Sequence, residues 1–230
     1  MGGGDVRGVS DFTFSSLLAG SYSRYVAVAA EFGCRLYGLW CISVIDGSGH
    51  AVTLDAATDL IWHSQVPLKV TIFVWQLLRD MLPTKANLVS QGILSQEAHY
   101  CVSGCGVVES TQHVFLVCST FGSLWSLVGS WIGSSLVIAQ TIPDHFVQFT
   151  SSAGGSHARR SFMQLIWLAC VWVVWTERNH RLFTGSTTSV HQMLDKIKSF
   201  SYRWLKATSS TLTLNCHMWW SSPLLCLGLV

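Results

Sequence analysis

Four residues within an 18-residue stretch have the types and the spacing of a metal site. They are Cys101, Cys105, His113 and Cys118, in the pattern C-x3-C-x7-H-x4-C. Three thiols and one imidazole fill the four tetrahedral positions of a structural zinc ion. Because no position is left for water, such a site stabilises a fold and does not catalyse hydrolysis. The pattern therefore predicts structural Zn2+, and buried cysteines without a metal are the alternative.

The residues around this pattern also suit a metal loop. Two glycines flank Cys105 and let the backbone turn tightly. Ser110 or Thr111 can cap a helix that carries His113. On a continuous α-helix, His113 and Cys118 would lie about 140° apart around the axis. We therefore expect that helix to end or bend at Cys118.

The elements that position these residues are predicted to be mostly α-helical. Apolar residues at helical spacing predict helices over 67–82, 84–90, 121–133, 156–183 and 189–206. Gly185 is the expected cap of the fourth of these helices, and Ser189 with Gln192 forms the capping box of the fifth. A predicted connector over 136–150 has one turn of helix at Asp144. The predicted fold is an irregular helical domain with a zinc-knuckle-like loop of three Cys and one His, followed by two long helices. We predict a domain over 51–135 and a helical extension with an apolar tail over 136–230. Residues 1–50 show no sustained period and stay unassigned, either disordered or a miscalled start.

The N-terminal sequence and the cysteines indicate in which cellular compartment the protein is expected. The N-terminus has neither the basic start nor the apolar run of a secretory signal. Eight cysteines without such a signal predict reduced thiols in the nucleus or cytoplasm and not a secreted protein.

The apolar run Leu165 to Trp175 is shorter than the roughly 20 residues that span a membrane. A buried helix is favoured there, and membrane association is the alternative.

Positive charge is concentrated near the C-terminal end. Residues 157–206 hold eight Lys or Arg against two acidic residues, while the loop between His99 and Thr120 has no Lys or Arg. Clustered cations suit phosphate contacts with RNA or DNA, and a solvated helix face is the alternative. The candidate nucleic-acid-binding residues are Arg159, Arg160, Lys196, Lys198, Arg203 and Lys206. Tyr100 or Phe115 could stack on a base, although core packing is favoured for Phe115.

Motifs of enzymes are missing from the sequence. It contains no nucleophile elbow and no phosphate-binding loop, so we expect no enzyme and no small-molecule substrate. Glu177 with His180, and His217 with Cys216 and Cys226, are alternative catalytic or metal-binding sets. For these, solvated or hydrogen-bonded side chains are the favoured interpretation.

Three further motifs accompany the Cys/His pattern. Trp62, Pro67 and Lys69 form a W-x4-P-x-K start, an L-P-T-K turn covers 82–85, and Glu109 begins an E-x3-H-x-F-x2-C run. In this order, the motifs resemble the zinc-binding domain found downstream of the polymerase in plant non-LTR retroelement (retrotransposon) reverse transcriptases. The resemblance extends over roughly residues 51 to 226.

A second segment extends that resemblance. Residues 172–179, WVVWTERN, resemble the W-x2-W-x2-R-N helix that trails the domain in these elements. The resemblance implies that Cys101, Cys105, His113 and Cys118 are the zinc ligands. It also implies a nucleic-acid-associated accessory domain without polymerase activity, in keeping with the missing Tyr-x-Asp-Asp motif. Docking onto the reverse transcriptase body or another protein is the alternative, because eleven Trp with few charges suit an apolar interface.

Overall fold

The structure, a computed structural model, describes residues 61–134, 137, 139–152, 156–208 and 216–229. These residues belong to one compact unit within Ser48–Val230. The described part is helical, with an isolated antiparallel β-bridge between Tyr100 and Val108, so the predicted mostly α-helical class is confirmed. The unassigned residues 1–50 lie outside the described part, and the predicted division at residue 135 stays a prediction.

Eight α-helices follow one another in the described residues. They are α1 (Leu68–Leu78), α2 (Lys85–Ser90), α3 (Ser123–Ile132), α4 (Ile142–Ser151), α5 (His157–Thr184), α6 (Val190–Thr208), α7 (Cys216–Ser221) and α8 (Pro223–Cys226). A 3-10 turn covers Gln96–Ala98 and a π-helical turn covers His113–Val117. Helix α5 packs against α1, α4, α6 and the π-helical turn, so it lies at the centre of the unit. The two predicted long helices are therefore α5 and α6.

Helix α1 ends earlier than predicted. It stops at Leu78 and not at Leu82, because Asp80 has a left-handed φ of 52° that a helix cannot accommodate. The Asn87 amide then donates hydrogen bonds to the carbonyl oxygens of Asp80 (3.0 Å) and Leu82 (2.9 Å). These bonds hold the turn that leads into α2.

The predicted connector over 136–150 is wrong for most of its length, because α4 occupies Ile142–Ser151. Thr141 caps this helix by accepting a hydrogen bond from the Asp144 N–H at 3.2 Å. Pro143 lies in the first turn, where its missing N–H costs nothing. Phe146 and Phe149 are buried, so packing and the cap together produce a helix that periodicity did not reveal.

Helices α5 and α6 form an antiparallel pair. Ser156 caps α5, and Gly185 ends it with a left-handed φ of 68°, as predicted. Lys196, near the start of α6, lies 3.6 Å from Glu177 near the end of α5. At the other end of the pair, the Trp219 ring contacts both Phe162 of α5 and Tyr202 of α6. Among the described helices, none is long and apolar enough to cross a bilayer.

Candidate metal centre

A narrow hairpin carries the first two cysteines. Tyr100 and Val108 pair across it in the isolated bridge, and Cys101 lies beside that bridge. Cys105 lies in the turn between two glycines, whose φ angles of 76° and 75° are left-handed. An L side chain is strained at such angles, so the turn requires glycine on both sides of Cys105.

A π-helical turn carries the other two residues. The Ser110 hydroxyl accepts the His113 N–H at 3.1 Å, which confirms Ser110 as the cap. The Cys118 N–H donates to the His113 carbonyl oxygen at 2.7 Å, a bond between residues five apart. Because such a bond closes about one turn, His113 and Cys118 lie on the same side, unlike in an α-helix. The predicted bend at Cys118 is confirmed, and its cause is this wide turn.

The four predicted donor groups meet at one point. The sulfur atoms of Cys101, Cys105 and Cys118 and a ring nitrogen of His113 all lie within 4.8 Å of one another. Zinc bonds of about 2.0–2.3 Å in a tetrahedron separate the ligand atoms by roughly 3.3–3.8 Å, so small shifts suffice to hold an ion. In the described part of the chain, no other set of three or more His, Cys, Asp or Glu comes together in this way.

Two of the thiols are linked through a serine. The Ser103 hydroxyl lies 3.2 Å from the sulfur atoms of both Cys101 and Cys118. The hydrogen bond between the two thiols lowers the pKa of Cys118 and raises the pKa of Cys101. Backbone hydrogen bonds from Phe121 and Thr120 lower the pKa of Cys118 further. The lowered pKa favours the thiolate form of Cys118, which is the form in which cysteine binds zinc.

A buried carboxylate ties the hairpin to two helices. Glu109 Oε2 accepts the Val102 N–H at 3.1 Å, and Oε1 accepts the Lys85 N–H at the start of α2, also at 3.1 Å. Arg178 of α5 donates to the same Oε1 through Nε at 3.1 Å and through Nη2. Both side chains of this ion pair are almost fully buried. Glu109 and Arg178 each belong to one of the sequence motifs. The spacing of those motifs does not predict that the two side chains contact each other.

Glu177, the residue before Arg178 in α5, has a structural role. It accepts hydrogen bonds from the Thr188 N–H at 2.7 Å and from Arg181 Nε at 3.0 Å. Burial by itself favours the neutral acid, but the bonds from Thr188 and Arg181 hold the pKa of Glu177 below its ordinary value. The bond from Thr188 joins α5 to the segment that leads into α6, so Glu177 is a hydrogen-bonded polar residue, as expected.

Three of the six candidate nucleic-acid-binding cations have polar partners or are partly buried. Lys196 lies beside the buried carboxylate of Glu177. Lys198 Nζ donates to the Trp220 carbonyl oxygen at 3.0 Å, and burial lowers its pKa although Asp195 partly offsets this. Arg159 is partly buried.

The other three cations are exposed. They are Arg160 at the start of α5, and Arg203 and Lys206 near the end of α6. Because the two helices are antiparallel, all three lie toward the same end of the helix pair. The structure thus separates three exposed cations from the other three, although the sequence presents all six as one cluster.

The two candidate stacking residues also differ. Phe115 is fully buried and packs against the rings of Phe73 and Trp175, with centroids 6.4 and 6.3 Å away. The favoured interpretation of Phe115 as a core residue is confirmed. Tyr100 is 51% exposed, and the His99 ring lies 4.5 Å from it.

Comparison with known families identifies the segment around the metal centre. Residues 48–125, about a third of the chain, match the family model described as zinc-binding in reverse transcriptase. This segment is a reverse-transcriptase-type zinc-binding domain. The matched family is a zinc-binding domain and not a catalytic one. No curated protein and no solved structure matches the chain.

The zinc-binding domain contains all four donor residues, so the resemblance and the geometry point to the same site. The matched segment ends at residue 125. The ion pair between Glu109 and Arg178 reaches well beyond that limit, into α5. The domain is therefore supported by side chains that the family match does not include.

Proposed function

We propose that this protein is a zinc-stabilised accessory domain, derived from a retroelement reverse transcriptase, that contacts RNA or DNA and has no polymerase activity of its own. The observation that carries this proposal is the meeting of three sulfur atoms and one ring nitrogen within 4.8 Å, inside the matched segment. Zinc would hold the hairpin and the π-helical turn together and would supply no catalysis. We expect the protein in the nucleus or cytoplasm, where thiols stay reduced.

The nucleic-acid contact rests on exposed charge. Arg160, Arg203 and Lys206 lie toward one end of the α5–α6 pair, where they can bind successive phosphates. A zinc ion with three thiolates carries a net charge near −1, so the hairpin itself is a poor phosphate site. Tyr100 offers the hairpin a different contact, stacking on an unpaired base.

A protein-docking role is the second candidate, and a specific observation favours it. Trp62 is 58% exposed, and Leu68 at the start of α1 is 64% exposed. Val117 in the π-helical turn is also largely exposed. Exposed large apolar side chains are typical of docking surfaces, and the reverse transcriptase body is the partner that the family match favours.

Metal analysis of the purified chain tests the zinc part of the proposal. We expect one zinc per chain in the wild type and loss of the ion in Cys105→Ser, because one of four ligands is removed. Cys216→Ser is the matched control, since Cys216 is an exposed thiol away from the cluster. A wild-type protein that purifies without zinc and does not take it up would contradict the proposal.

Titration with labelled single-stranded RNA at two salt concentrations tests the nucleic-acid part. Phosphate contacts predict that binding weakens steeply with salt, by a log–log slope of about 0.7 per contact on a single strand. The triple variant Arg160→Ala, Arg203→Ala, Lys206→Ala should reduce that slope by about 2. The matched control changes Lys69 and Arg79, exposed cations on α1.

Two results of that titration would favour the docking role instead. One is binding that does not respond to salt, which apolar contacts predict. The other is an equal loss of binding in the triple variant and in the α1 control, which would show that the α5–α6 cations form no specific surface.

A further inference from the structure

The buried ion pair between Glu109 and Arg178 lies between the metal hairpin and α5. Glu109 is fully buried, and its carboxylate accepts the N–H of Val102, the residue that follows the ligand Cys101. One side chain therefore links the hairpin backbone beside a donor sulfur to a helix whose residues come more than fifty positions later.

Arg178 is held firmly enough to act as a support. Its Nη1 donates to the Asn179 side chain at 2.8 Å, and its Nη2 lies 3.4 Å from the Pro83 carbonyl oxygen. The guanidinium carbon also lies 4.8 Å from the centroid of the Trp175 ring. A planar guanidinium with several fixed partners has little freedom to follow a moving carboxylate. Arg178 on α5 therefore fixes the position of the Glu109 carboxylate. Glu109 does not fix the position of Arg178.

Charge explains why the hairpin depends on this contact. A buried carboxylate without a cation is unstable, so without Arg178 the Glu109 side chain must move toward water. This movement weakens its hydrogen bonds to the N–H groups of Val102 and Lys85. The other bonds that hold the backbone of Cys101 lie within the hairpin itself, such as that from its N–H to the Val107 carbonyl oxygen at 2.9 Å, so Glu109 is the link from this backbone to α5.

We propose that Arg178 is a positioning residue of the metal loop, acting through Glu109, and that the zinc-binding unit of this protein includes α5. This inference rests on the proposed zinc function. It extends the unit beyond the matched residues 48–125 and assigns a role to the Arg of the W-x2-W-x2-R-N segment. Zinc occupancy and the docking of α5 are then linked, because each holds the same hairpin in place.

The test compares zinc affinity in full-length variants, measured by competition with a chromogenic chelator. We expect Arg178→Leu to weaken zinc binding by about tenfold, the lower end of the range for residues that support metal ligands. Arg178→Lys should lose less, because it keeps the charge but not the fork of donors. Arg79→Leu is the matched control, since Arg79 is exposed just after the end of α1, and its zinc affinity should not change.

A second readout separates positioning from general stability. Thermal unfolding is measured with and without zinc, and the visible absorption of bound Co2+ reports the ligand geometry. We expect the rise in melting temperature on zinc binding to shrink in Arg178→Leu, and the Co2+ spectrum to change. Glu109→Gln, which keeps the side-chain volume, should have the same effects, and the double variant should lose little more than either single one.

The inference is overturned if Arg178→Leu lowers the melting temperature equally with and without zinc while its zinc affinity and Co2+ spectrum stay as in the wild type. If Arg178→Leu does not fold, the zinc affinities of Arg178→Lys and Glu109→Gln decide the question. A wild-type protein that binds no zinc contradicts the proposed function itself. A wild-type protein that binds zinc as tightly as every Arg178 and Glu109 variant contradicts this inference alone.

Discussion

The side chains of the metal hairpin are much more exposed to solvent than the side chains at the centre of α5. In the hairpin, Tyr100, Val107 and Val108 each expose two-fifths or more of their surface. In α5, every side chain from Leu165 to Val171 is fully buried. Burial of apolar surface stabilises the helix, by roughly 25 cal/mol for each Å² removed from water. The hairpin buries too little apolar surface to be held in that way.

The hairpin depends instead on a few specific polar partners. Its backbone is held by one β-bridge and by the Glu109 carboxylate, and its sulfur atoms converge on the point where a zinc ion would bind. Loss of one such partner removes much of the stabilisation of the hairpin. The core around α5 is stabilised by many contacts, each of which contributes only a small part. The comparison teaches that the two regions should respond to different perturbations, and the following predictions test this.

The largest expected effect is a core substitution in α5. Trp167 is fully buried, and its Nε1 donates to His145 Nδ1 at 3.0 Å. Trp167→Ala should lower the free energy of unfolding by about 4 kcal/mol, because it leaves a large cavity and an unpaired acceptor. Chemical denaturation measures this change. Zinc affinity, measured in native buffer, should stay close to that of the wild type.

Trp62→Ala is the matched control for the core substitution. Because Trp62 is 58% exposed, its loss should change the free energy of unfolding by less than about 0.5 kcal/mol. Equal destabilisation by both substitutions would show that the α5 core is not the main source of stability. A large loss of zinc affinity in Trp167→Ala would show that the two regions are not separate.

The next effect is the reverse perturbation, removal of the metal. Treatment with a chelator should speed amide hydrogen exchange at Cys101 and Cys118 by about 100-fold, since their hydrogen bonds lie within the metal loop. Amides in the middle of α5 should keep their protection. Exchange followed by mass spectrometry or NMR measures both. Uniform loss of protection along the chain would contradict the division into two regions.

The smallest effect is a pH response of the helical core. Burial lowers the pKa of His145 from an ordinary 6.5 to about 4. The unfolded chain therefore binds a proton more readily than the folded one, so stability falls as pH decreases from about 6.5 to 4 and is constant above that window. Between pH 7 and pH 5 we expect a loss of about 2 kcal/mol in the free energy of unfolding.

His145→Gln isolates this contribution, because glutamine can still accept the hydrogen bond from Trp167 but does not titrate. Both proteins are measured with a chelator present, so that proton competition for the metal does not enter. The wild type should lose about 2 kcal/mol more than His145→Gln between pH 7 and pH 5. Parallel pH curves for the two proteins would show that His145 does not titrate in this window.

Local capping signals in the sequence predicted some helix ends correctly and others not. The Ser189 and Gln192 capping box forms as predicted, with reciprocal bonds of 3.2 and 3.0 Å, because both partners lie within one turn. The cap and the acidic first turn at Thr141 and Asp144 carry the same kind of signal, but it predicted only one turn of helix, because α4 lacks a long apolar period. The early end of α1 depends on the backbone angle of Asp80, which no spacing rule reveals.

The sequence by itself determined the chemistry of this protein: which donor atoms are present, that they lie close along the chain, and where most helices run. These properties depend on residue type and on spacing over one or two turns. Only the tertiary structure decided that Glu109 meets Arg178, that Phe115 is buried while Tyr100 is exposed, and which cations face solvent. Such outcomes depend on how distant segments share buried space, and no local period encodes that.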